Sequence, residues 1–60
     1  MKIKVIPFKD PSNVHIITVE QAKENLDFSV MNYLQLEKLG RTQVKGADLY
    51  KVDDSETVNF

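Results

Sequence analysis

A chain of sixty residues without a single cysteine has to hold its fold by packing alone. At this length folding hides only about 60% of the surface that the unfolded chain exposes, so stability is marginal. Small domains commonly compensate with disulfides, a metal or a partner subunit. Here disulfides and thiolate metal sites are excluded, and the one histidine, His15, cannot build a histidine-rich zinc site. What remains is ordinary packing, helped by self-association. The chain reads as a single domain over residues 1–60 that needs no cofactor.

No apolar run approaches the roughly 20 residues that a membrane span requires. The opening Met1-Lys2-Ile3-Lys4-Val5-Ile6-Pro7 has basic residues but lacks the apolar core and small-residue cleavage site of a signal peptide. A cytoplasmic setting without membrane contact is the expectation. The formal charge of −1 is a poor match to a nucleic-acid binder, but its distribution says more. Lys38, Arg41, Lys45 and Lys51 face a single acid, Asp48, and Lys2, Lys4 and Lys9 open the chain with no acid among them. Acids gather at Glu20, Glu24 and Asp27 and again at Asp53, Asp54 and Glu56. Both a solvated mixed surface and a segregated basic stripe fit this pattern.

Residues 2–6 are β-rich and stop at Pro7, which has no backbone donor, so they read as a short edge strand. Residues 8–13 carry turn chemistry in Asp10-Pro11 and Ser12-Asn13, and residues 14–17 form a second β-prone run. Thr18 then has the character of a helix N-cap, with Gln21 three positions on to close a capping box and Glu20 in the favourable first turn. Val19, Ala22 and Leu26 recur at helical spacing, which predicts a helix over residues 19–26. Ser29 offers a second N-cap. Val30–Leu39 contains no Pro or Gly and many good helix formers, and Gly40 stands where a C-cap belongs. A strand is the alternative for this segment, because Phe28, Val30, Leu34 and Leu36 share one parity. Residues 42–45 and 49–52 bracket Gly46-Ala47-Asp48 as a hairpin. Asp53-Asp54-Ser55 can cap one last helical turn carrying Val58 and Phe60.

Thr18-Val19-Glu20-Gln21-Ala22-Lys23-Glu24-Asn25-Leu26, followed by Asp27-Phe28-Ser29, resembles the opening helix and turn of small winged helix-turn-helix domains of the MerR-like and excisionase-like type. Asp27 takes the place of the turn glycine, which Asp tolerates because it visits the left-handed region. Gly40 falls where the second helix of such domains ends, and Leu49-Tyr50-Lys51-Val52-Asp53-Asp54 is similar to their returning wing strand. The resemblance covers residues 17–54. It implies an α+β fold with two short helices, a β-hairpin and an extra N-terminal β segment. It also implies a regulator of transcription or recombination that binds duplex DNA as a dimer or cooperatively. Asn32 and Gln35 would then read bases, Lys38 and Arg41 would hold phosphates, and Lys45 and Lys51 would set the wing on the backbone.

One departure opens a second reading. If Tyr33, Leu36 and Leu39 face inward, then Val30, Met31, Leu34, Gln35 and Lys38 share the opposite side. A base-reading helix needs polar side chains there, and this side is largely apolar. Either the N-terminal segment covers it or it contacts protein. Under the second reading Val30, Met31 and Leu34 are the contact surface of a module that modulates a host protein, similar in size and composition to phage-encoded inhibitors. Catalysis is not expected. Ser29, His15 and Asp27 make a triad only on paper, with no nucleophile-elbow glycine pattern and little room for a water-excluding pocket. His15 reads as a partly solvated strand residue. The tail carboxylates lack the glycine and distal glutamate of an EF-hand.

Overall fold

The structure, a computed structural model, describes residues 1–52. Six elements follow in chain order: β1 (Lys2–Pro7), β2 (His15–Thr18), α1 (Val19–Asn25), α2 (Val30–Leu39), β3 (Arg41–Val44) and β4 (Ala47–Val52). The strands form one antiparallel sheet in the order β2-β1-β4-β3. Both helices pack on one face of it, so this is a small two-layer α+β domain.

The first strand departs from the sequence reading. β1 is interior, not an edge, pairing with β2 from Lys2↔Thr18 to Val5↔His15 and with β4 from Lys2↔Val52 to Pro7↔Ala47. The proline is harmless because it ends the strand, beyond the last residue paired with β2. Alternation then becomes visible: Ile3 and Val5 are buried under the helices. The chain returns to β2 through Asp10-Pro11-Ser12-Asn13, where the Asn13 N–H donates to the Asp10 carbonyl at 3.0 Å. Pro11 presets the backbone angle that such a turn wants at its second position.

Local chemistry dictates both helix starts. The Gln21 N–H donates to Thr18 Oγ1 at 3.1 Å, and the Thr18 N–H donates to Gln21 Oε1 at 2.9 Å, which closes the expected box. Ser29 repeats the arrangement with Asn32, a partner the sequence reading missed because Asn is a less usual third residue than Glu or Gln. Val30–Leu39 is helical, and Gly40 ends it in the left-handed conformation at φ 78°. The link between the helices differs from the family pattern. α1 exits through Leu26 in extended conformation, φ −124°, and no described residue other than glycine has a positive φ. Asp27 therefore does not stand in for a left-handed turn glycine. The hairpin is also tighter than expected, with Val44 opposite Ala47 and only Lys45-Gly46 between them.

Ile3, Leu36 and Leu49 are fully buried and join Val5, Ala22, Val44 and Ala47 in the core. Ile17, Val19, Leu26 and Phe28 pack around its margin. The inward face of α2 is polar as well as apolar. Asn32 Nδ2 donates to Thr42 Oγ1 at 2.9 Å and to the Gln43 carbonyl at 3.1 Å, and the buried Thr42 hydroxyl donates to Gln35 Oε1. The proposed final helical turn, with Val58 and Phe60, lies outside the described residues.

Asn32 serves both the cap and this brace, whereas Thr18 serves a cap alone. Asn32→Ala is expected to lower stability by about 2 kcal/mol and Thr18→Ala by about 1 kcal/mol. Urea denaturation of the two variants checks the order; equal losses would mean that the bonds to β3 contribute nothing.

Candidate functional site

The outward side of α2 carries the most concentrated exposed apolar surface among the described residues. Val30 is 75% exposed, Met31 63% and Leu34 43%. The N-terminal segment does not cover them, because it is committed to the middle of the sheet as β1 and to its edge as β2. Helical spacing places Val30 and Leu34 one turn apart, with Met31 and Lys38 alongside. The expected inward set is only partly right. Leu36 is buried, but Tyr33 is 37% exposed and Leu39 72%. Asn32 accompanies Leu36 toward β3, its amide making four hydrogen bonds there and at the cap, whereas Leu39, two turns on and on the same side, is the last residue of α2 and is left exposed.

The residues expected to meet DNA are dispersed by the same geometry. Asn32 and Gln35 are turned to Thr42. Lys38 stays on the open side of α2, and Lys45 sits at the hairpin tip. Lys51 reaches across the helix side of the sheet to Glu37, Nζ to Oε2 3.8 Å. Arg41 pairs with Tyr50, and so belongs to the opposite face from Lys51. There the register sets Lys4, Tyr50 and Arg41 in one row. His15 is exposed on β2, and the Ser29 hydroxyl is spent on its cap. Among the described residues no group of three or more His, Asp or Glu gathers to hold a metal ion, and no helix is long and apolar enough to cross a membrane. Asp53, Asp54 and Glu56 lie outside the described residues.

A cleft of about 440 Å³ opens beside the apolar patch, between the end of α1 and the start of α2, lined by Lys23, Phe28, Ser29, Val30 and Tyr33. Nothing in the sequence flagged it, since Lys23 and Phe28 are brought to Val30 only by the packing of the two helices. At its margin the Tyr33 phenol is held above its ordinary pKa of about 10, first by a hydrogen bond to Glu37 one turn on, then by repulsion from that carboxylate's charge.

Comparison with protein-family models, with curated proteins and with solved structures finds no match to this chain.

The raised phenol pKa means that Glu37 favours the protonated phenol, a contribution present at neutral pH and lost as pH climbs through the folded-state value. Glu37→Ala removes both main causes, so the Tyr33 titration should move down toward the ordinary phenol value. Ultraviolet tyrosinate absorbance in a Tyr50→Phe background reads this directly. An unmoved titration would mean that Glu37 does not govern the phenol.

Proposed function

We propose that this chain is a non-enzymatic binding domain that docks a protein partner on the apolar side of α2, through Val30, Met31 and Leu34. The observation that carries the reading is the exposure of all three on one side of a helix whose orientation is pinned by Asn32 and Leu36. Leaving such side chains in water forgoes roughly 25 cal/mol for each Å² of apolar surface, and contiguous exposed patches on small proteins mark interaction surfaces. The order of two helices and a hairpin supports treating the domain as a winged helix-turn-helix variant whose second helix meets protein where a regulator would meet a groove. A cytoplasmic setting goes with this reading.

The DNA reading is less well supported. Base-reading needs donors and acceptors free to meet base edges, whereas the Asn32 amide is saturated within the domain and Gln35 is engaged by Thr42. Phosphate contacts need cations on one surface, whereas Arg41 and Lys51 point to opposite faces of the sheet.

Leu34→Glu tests the proposal, because Leu34 is half-exposed and carries no core packing of its own. The variant should keep the native circular dichroism spectrum and melting temperature. It should also lose a nuclease-resistant partner recovered from cell lysate, since removing an anchor costs 2 kcal/mol or more, a loss of roughly 30-fold in affinity. Recovery that vanishes on nuclease treatment, together with a low-salt shift of duplex DNA that Lys45→Gln weakens, would overturn the proposal in favour of DNA.

A further inference from the structure

The cleft beside Val30 says what kind of side chain the partner brings. Its walls are the Phe28 ring, the Val30 side chain and the Tyr33 ring. One of its polar groups is already committed: the Ser29 hydroxyl accepts from the Asn32 N–H at 3.3 Å and donates to Asn32 Oδ1 at 3.0 Å. Lys23 is different. It stands in the last turn of α1 and forms no ion pair with any described residue. The recognition chemistry on offer is thus two aromatic rings and a branched aliphatic wall, with one uncommitted ammonium at the side.

We propose that this cleft seats an aromatic side chain of the partner protein whose neighbouring carboxylate pairs with Lys23. The inference rests on α2 being the docking helix and adds the chemistry of the anchor. A volume of about 440 Å³ falls in the range of sites that accept small ligands. It exceeds what one phenyl or indole ring occupies, which leaves room for the carboxylate beside it. Aromatic rings gain here from offset contact with Phe28 and Tyr33 beyond simple area burial. A cationic anchor is disfavoured by Lys23, and a neutral polar one finds no free donor or acceptor in Ser29.

The test uses the isolated chain and two soluble probes of one shape, 3-phenylpropionate and the neutral 3-phenylpropanol, followed by amide chemical shifts. Both should perturb the amides of Lys23, Phe28, Val30 and Tyr33. The carboxylate should bind more tightly by on the order of threefold, the size of a partly exposed ion pair. Lys23→Gln, at an exposed helical position where glutamine is equally tolerated, should erase that preference and keep the weaker ring binding. Equal affinities in the unmodified chain, or shifts confined to other residues, would overturn the anchor assignment. Leu34→Glu separates the two levels of the argument. Leu34 is not part of the cleft lining, so probe binding should persist in this variant while partner recovery is lost. Persisting partner recovery would defeat the docking face itself, whatever the probes do.

Discussion

The side-chain amide of Asn32 is the contact on which the arrangement of the molecule turns. Its oxygen accepts from the Ser29 N–H and hydroxyl, and its nitrogen donates to Thr42 and to the Gln43 carbonyl. One group thereby starts α2 and ties that start to β3. A helix held by apolar contacts alone can roll until its greasiest stripe is covered, because burial has no direction. A carboxamide with both ends satisfied sets the angle instead. With Asn32 and Leu36 facing the sheet, helical geometry sends Val30, Leu34 and Lys38 outward. The exposed patch is the other side of the same constraint.

Much of the local structure was legible. Thr18, Ser29 and Gly40 announce helix ends through bonds made within a few residues, and the bounds of α2 follow from them. Non-local features were hidden. Pro7 suggested an edge strand because its missing donor is a local fact, whereas the two neighbours of β1 come from residues 15–18 and 47–52. Leu39 was assigned to the core from its helical spacing, and as the last residue of α2 it is largely exposed. Asp27 was given a left-handed role by analogy with a turn glycine, yet Leu26 already redirects the chain in extended conformation.

Site chemistry divides in the same way. Val30, Met31 and Leu34 could be picked out because an apolar stripe opposite a second apolar stripe is more than a two-layer domain can cover. The cleft could not, since its walls come from α1, the connecting loop and α2 together. The cations looked like a stripe along the sequence from Lys38 to Lys51. Strand alternation sorts them onto different faces, which is a property of pairing and not of spacing.

The interior position of β1 bears on how the domain comes into being. Among the described residues β1 is the first strand and β4 the last, yet they run side by side over their full lengths. Bringing together stretches so far apart along the chain means closing a loop that holds nearly the whole domain, and such contacts slow folding. On a ribosome β1 can find β2 early, but a two-stranded ribbon is marginal in water. Ile3 and Val5 stay without their Leu49 neighbour until residue 52 has cleared the exit tunnel. The sheet therefore closes late, when β4 becomes free to pair with β1, and helices as short as α1 and α2 gain their stability only from that closure.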